Sequence, residues 1–183
     1  MNEIKFYGRG GQGVVMASQM LGLGFFKAGL YPQCYSLFGG ERRGAPVVSF
    51  LRVDREKIFL KCDIKQPDEL LFFDIGLIDP REIEGLRSGG RRILLSTDQV
   101  DPDIKTFKGF RVGIVNAQAI AQGLGLGRVI NTTILGAYCR FSHNLSLEHI
   151  ISAIEEMVPA KMEANLEAAR QGYSGLTILN GEN

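Results

Sequence analysis

The sequence predicts an α/β fold: a three-layer α/β/α arrangement around a mixed sheet, followed by a helical C-terminal region. Three observations point there. Short β-rich runs alternate with helix-period stretches through most of the chain. A glycine-rich segment, Gly8-Arg9-Gly10-Gly11-Gln12-Gly13, joins the first strand to the first helix, as in Rossmann-like folds. From about residue 117 to 173 the pattern is helical. The 183 residues fit a single domain, 1–183.

The elements follow in order. Ile4 and Phe6 mark an extended segment that stops at Gly8. From Gln12 onward Val14, Val15, Ala17, Met20, Leu21, Leu23, Gly24 and Phe25 keep close to a 3.6-residue period, and Gly29 supplies the stop. Tyr31 to Leu37 reads as a second strand, and Phe38 to Pro46 as a loop. Pro46 to Val53 is a β-branched run. Asp54-Arg55-Glu56 is a turn, and Ile58 to Leu60 is expected to return as the second strand of a hairpin, making the sheet mixed. Glu69 to Asp74 has the apolar density of a buried central strand. Pro80 to Leu86 suits a short helix with Pro80 in its first turn. Two more strands are expected at Arg92–Ser96 and Arg111–Val115. Helices follow at Ala117–Leu124, Asn131–Phe141, Ser146–Met157 with Ser146 as N-cap, and about Ala160 to Gly172.

Composition narrows the function. With 21 basic and 20 acidic residues the net charge is +1, so no global field draws nucleic acid or an anionic membrane. The N terminus shows no export signal and no apolar run approaches the length of a membrane span, so a soluble, cytoplasmic protein is expected. Cys34, Cys62 and Cys139 form neither a disulfide framework nor a Cys-x-x-Cys pair, and they are too few to hold an iron–sulfur cluster. With only His143 and His149 as further soft ligands, no metal site is expected. No nucleophile sits beside a recognisable base, and no P-loop lysine follows the glycines, so no catalytic residue is assigned.

Two loops carry the binding chemistry. Gly8, Gly10, Gly11 and Gly13 permit a tight strand-to-helix turn with backbone amides open to a close ligand. The following helix adds the positive end of its dipole, and Arg9 a charge-assisted contact. A dinucleotide site would also need an acid at the end of the second strand. Tyr31 to Ser36 holds none, which weakens a nicotinamide reading. A tight turn with no ligand is the other alternative. The second loop places Arg42 and Arg43 among Gly39, Gly40 and Gly44. It is either a solvated turn partly neutralised by Glu41, or, with the first loop at the same sheet edge, a phosphate or partner-docking site.

The motifs Gly8–Gly13, Glu41-Arg42-Arg43-Gly44-Ala45-Pro46-Val47-Val48, Val129 to Ala137, and Ala164-Asn165-Leu166-Glu167-Ala168 with Gly172-Tyr173 resemble the gamma subunit of the 2-oxoacid:ferredoxin oxidoreductases, of pyruvate or ketoisovalerate type. The resemblance spans nearly the whole chain. It implies a multisubunit enzyme that uses thiamine diphosphate, [4Fe-4S] clusters and coenzyme A to convert a 2-oxoacid to an acyl-CoA, with ferredoxin as electron acceptor. Alpha, beta and delta type subunits would be the partners, and the thiamine and cluster sites would lie outside this chain. The resemblance also implies coenzyme A access near this domain, with Gly8, Arg9, Gly10, Gly11, Gln12, Gly13, Arg42 and Arg43 as the expected contacts. A purely structural docking subunit, or an independent dinucleotide-binding reductase, are the alternatives.

Overall fold

Residues Asn2–Arg9 form strand β1, buried along most of its length, and the chain then enters helix α1 (Val14–Lys27). A computed structural model describes residues 1–38, 44–89, 92–98, 107 and 109–179. Strands β2 (Tyr31–Phe38), β3 (Pro46–Asp54) and β4 (Glu69–Phe72) follow, then a 3-10 turn at Ile75–Leu77 and the short helix α2 (Pro80–Glu84). After β5 (Arg92–Ser96) and β6 (Arg111–Val115) come four helices: α3 (Ala117–Gly123), α4 (Asn131–Ser142), α5 (Leu147–Met157) and α6 (Met162–Ser174). Strand β7 (Thr177–Leu179) closes the described chain.

The helix ends show how local sequence sets these boundaries. Gly29 takes a left-handed φ of 84° after α1. Its N–H donates to the Phe26 carbonyl and that of Leu30 to Phe25, a Schellman stop that only glycine adopts without strain. Asp79 caps α2 by accepting from the Arg81 amide at 2.9 Å, with Pro80 at the position where a missing N–H costs nothing. Ser146 stands at the N-cap of α5 but makes no cap hydrogen bond. Its hydroxyl instead meets His149 Nδ1 at 2.7 Å.

The strands form one mixed sheet in the order β2-β3-β1-β4-β5-β6-β7. Four central strands, β1, β4, β5 and β6, run parallel. β3 lies antiparallel between β1 and β2, with Val48 opposite both Tyr7 and Leu37. The expected hairpin between β3 and Ile58–Leu60 does not form. Both edges of β3 are taken, so the 57–64 segment has no edge of β3 to join and crosses the sheet face as a strap. The antiparallel elements that make the sheet mixed are therefore β3 itself and β7. β7, antiparallel to β6, was not expected.

Alternation along each strand divides the core in two. One face packs Ile4, Phe6, Leu51, Leu71 and Leu94 beneath α1 and the C-terminal helices. The other sets Tyr7, Leu70, Phe72, Ile93 and Leu95 against Ile83 of α2 and Phe107. The layers are three but unequal. Among the C-terminal helices, α4 and α6 meet backbone to backbone, because Gly136 faces the Ala169 carbonyl and Gly172 faces that of Thr133. Thr132 Oγ1 donates to Asn165 Oδ1 across the same contact at 3.1 Å. Ion pairs on the buried carboxylates Glu3 and Glu69 gather where the parallel strands begin. Arg52 meets Glu3 at 2.8 Å, Arg87 meets Glu3 at 2.6 Å, and Arg92 meets Glu69 at 2.8 Å.

Candidate functional site

The glycine loop lies at the other end of the sheet, where the parallel strands finish. From β1 the chain crosses by α1 to the β2 edge, whereas β4 leads on to β5 in the opposite direction. The carboxyl ends of β1 and β4 thus form the topological switch point, the usual crevice for ligands in open α/β sheets. Gly8 is required by that crowding: a Cβ there would stand 2.5 Å from Val14 Cγ2 and 2.8 Å from Phe73 Cβ. Gly13 caps α1 with φ 82°, and a Cβ on it would stand 2.6 Å from Asn131 Nδ2 at the start of α4.

The loop is fastened to its neighbours by its own polar groups. Gln12 folds back so that its Oε1 accepts from the Arg9 amide at 2.7 Å, while its Nε2 donates to the Phe73 carbonyl at 3.2 Å. The Gln12 amide donates to the Arg9 carbonyl at 3.1 Å, and the Ile130 amide donates to the Gln12 carbonyl at 3.4 Å. Gly10 donates to the Ala45 carbonyl at 2.9 Å and accepts from Gly44 at 3.2 Å. That exchange brings the described end of the second loop onto the first. Arg42 and Arg43 lie outside the described residues. Gly11 is the exposed corner of the turn, at φ 97° with open space around its α-carbon.

Arg9 is not a free cation. Its Nε meets Asp74 Oδ2 at 2.5 Å, and its Nη1 reaches the Gly44 carbonyl at 3.5 Å. Asp74 Oδ1 accepts from the Gly76 amide at 2.8 Å, so both carboxylate oxygens are engaged. Arg9 thereby ties the ends of β1, β4 and the second loop together, with its side chain still 39% exposed. Asp74 was not singled out in the sequence, where 65 residues separate it from Arg9.

A cleft of about 420 Å³ opens beside this loop, lined by Phe73, Asp74, Ser96, Asp98, Asn116 and Gln118 among others. These are the residues at which β4, β5 and β6 end. Asn116 Oδ1 accepts from the Ala119 amide at 3.0 Å and so caps α3, while Gln118 Nε2 donates to the Gly127 carbonyl at 2.8 Å. Sequence reasoning passed over this set although a signal was there. Each strand run, ELLFFD, RILLSTD and RVGIVN, ends in an acid or amide, and in a parallel sheet those ends share one edge.

The lining offers carboxylate, amide and hydroxyl groups beside the apolar Phe73, Ile75 and Ile130. The cysteines lie elsewhere. Cys34 is on the edge strand, but its Sγ tucks against the Ser18 carbonyl at 3.3 Å, and burial pushes the thiol up to about 11. Burial, with Glu148 adding, pushes Cys139 up to about 12. Cys62 lies on the strap, its carbonyl accepting from Arg52 Nη2 at 2.7 Å. Among the described residues no group of three or more His, Cys, Asp or Glu is placed to hold a metal ion. None of the helices among the described residues is long and apolar enough to cross a membrane.

Comparison with known proteins adds to this geometry. Residues 3–175 match the family described as pyruvate ferredoxin/flavodoxin oxidoreductase. Pyruvate synthase subunit PorC of Methanothermobacter thermautotrophicus is 38% identical over 183 residues, covering 98% of each chain. The pyruvate/ketoisovalerate oxidoreductases common subunit gamma of Thermococcus kodakarensis is 38% identical over 184 residues, covering 97% of this chain and 98% of that one. Among solved structures, pyruvate oxidoreductase subunit PORC from Thermotoga maritima superposes with a TM-score of 0.84 at 32% identity, covering 98% of each chain.

Proposed function

Because the chain belongs to the pyruvate ferredoxin/flavodoxin oxidoreductase family, we propose that it serves as the gamma subunit of a 2-oxoacid:ferredoxin oxidoreductase, with pyruvate the favoured substrate. In this reading it works beside alpha, beta and delta type subunits in the cytoplasm, and ferredoxin takes the electrons. Relatives matched along almost their whole length carry subunit names, which supports the assignment. Its described residues do not suit thiamine diphosphate or a [4Fe-4S] cluster. The three cysteines are dispersed, and no acidic or soft ligand cluster is present among those residues. Those groups belong to the partner subunits, and no chemical step is assigned to this chain.

Its own part is to receive coenzyme A at the switch-point edge. The observation that carries this is the meeting of the two loops through Gly10, Gly44 and Ala45, beside a cleft at the ends of β4, β5 and β6. The start of α1, Arg9 and the arginines Arg42 and Arg43 would face the pyrophosphate, and the hydroxyl and amide groups of the cleft would face uncharged parts of the nucleotide. In the assembled enzyme, Arg42→Ala with Arg43→Ala is expected to raise the KM for coenzyme A about tenfold, the effect of losing one charge-assisted contact. An unchanged KM with intact assembly would remove coenzyme A from these residues. Asp74→Asn, which takes away the charge that holds Arg9, is expected to lower that KM several-fold. A raised KM would show that Asp74 holds Arg9 in its working position.

A purely structural role for the glycine loop is the second reading. It is favoured by the amides of Arg9, Gly10 and Gln12, which all donate within the protein rather than outward. Mutations of Arg42 and Arg43 that prevent co-purification, yet leave the KM of the residual complex intact, would favour it.

A further inference from the structure

The 57–64 strap has no part in the cleft, yet the sheet holds it firmly. Gln33 Nε2 donates to the Leu60 carbonyl at 2.8 Å, and Arg52 Nη2 donates to the Cys62 carbonyl at 2.7 Å. The Ile64 amide donates to the Tyr35 hydroxyl at 2.9 Å. Arg52 is only 1% exposed and stays ion-paired to Glu3, so a buried guanidinium positions a surface segment. Ile64 is buried as the anchor, while the preceding side chains turn away from the protein: Phe59 is 78% exposed and Leu60 45%. Tyr31, on the same face as Gln33 and two positions before it, is 47% exposed.

An aromatic side chain left in water by a fixed backbone forfeits burial that a small rearrangement would otherwise recover. Lysines bracket it. Lys57 Nζ lies 5.6 Å from the Phe59 ring centre, and Lys61 follows Leu60. Among the described residues neither lysine is ion-paired. An apolar tip flanked by two exposed lysines, on a strap held at Leu60, Cys62 and Ile64, has the form of a docking element. Its complement is an apolar pocket rimmed by carboxylates.

We propose that the strap tip, Lys57-Ile58-Phe59-Leu60-Lys61, is a docking knob that inserts into an acid-rimmed apolar pocket of a partner subunit. This rests on the chain being a subunit of a larger enzyme. The test is co-expression of the tagged chain with the other subunits of its complex, with association measured by size-exclusion chromatography at two salt concentrations. Phe59→Ser with Leu60→Ser is expected to weaken association about thirtyfold, as for a central aromatic anchor, with the isolated chain melting as before. Lys57→Glu with Lys61→Glu is expected to weaken it about tenfold, most at low salt. Val129→Ser, another exposed apolar site, serves as control and is expected to change nothing.

Unchanged assembly in both double variants overturns the knob and leaves the subunit reading standing. Failure of the unmutated chain to assemble overturns both. Two further outcomes overturn the proposal when assembly is unaffected. One is binding of the isolated chain to phosphatidylserine vesicles that Phe59→Ser with Leu60→Ser abolishes. The other is a self-association lost in the same variant.

Discussion

Replacing Gly136 with alanine is expected to destabilise the protein by about 3 kcal/mol or more, at the upper end of overpacking effects. A methyl group at this position would enter the van der Waals radius of the Ala169 carbonyl oxygen and crowd the carbonyl carbon behind it. A clash with a side chain is relieved by a change of rotamer, but here the obstacle is backbone in the middle of α6. Only separation of the two helices makes room. That movement would break the Thr132–Asn165 hydrogen bond and open the layer that holds Ile134, Leu135 and Leu166. Gly172→Ala should cost a similar amount, because its methyl meets the Thr133 carbonyl from the other side of the same contact.

The double variant should cost less than the sum, since helices already parted by one methyl accommodate the second. For a chain of this size the expected fall in Tm is about 10 °C for each single variant. Gly123→Ala, with open space around its α-carbon, is the control and should stay within about 0.5 kcal/mol of the parent. Urea unfolding read by circular dichroism decides the matter. A loss below 1 kcal/mol at Gly136 would mean that the helices do not approach so closely.

Arg92→Met is the second large effect. Glu69 is 1% exposed at the start of β4, and Arg92 Nη2 lies 2.8 Å from its Oε1. Asn2 Nδ2 donates to the same oxygen at 3.2 Å. Burial raises the Glu69 carboxyl above the ordinary range, while the Arg92 charge pulls it down. Removing the arginine takes away the charge that opposes burial, leaving the Asn2 hydrogen bond and an unpaired buried carboxylate, with a cost of about 3 kcal/mol near pH 7.

The pH dependence follows from the sign of the shift. An acid whose folded pKa is raised favours the native state while both states are protonated, and loses that contribution as pH rises from the unfolded value toward the folded one. In Arg92→Met the folded value moves further up, so the penalty should be least near pH 4 and grow toward neutrality. Adding Glu69→Gln should recover much of the loss, because no charge is then left buried. Denaturant midpoints of the single and double variants between pH 4 and 7.5 provide the measurement. A penalty that is flat across this range would contradict the account.

Much of this protein was legible from local pattern. ELLFFD and RILLS are apolar without alternation, as strands covered on both faces must be, and both lie in the parallel centre. The glycine loop and the helix after it appeared where a strand gives way to a 3.6-residue period. The 129–137 and 164–173 motifs drew notice as sequence signatures. Their physical role, glycines that let α4 and α6 touch, needed the partner helix in view. The ion pair between Arg9 and Asp74 was not readable for the same reason. Neither residue carries any local mark of the other, and only the parallel pairing of β1 with β4 brings their strand ends together.

Ile58–Leu60 shows where local reading fails. Its composition suits a strand, and a turn precedes it, so pattern alone places it beside β3. What rules this out is that β1 and β2 already occupy both edges of β3. The failure is informative, because apolar residues denied a place in the sheet were left on its surface as the strap. The chain by itself determined which segments become strands and helices, where the turns fall and which ends are rich in glycine, since these depend on neighbours a few residues away. Only the tertiary structure decided which edges pair, which charges meet and which segment is left on the surface of the sheet. Those outcomes depend on competition between segments far apart in sequence for a limited number of edges and faces.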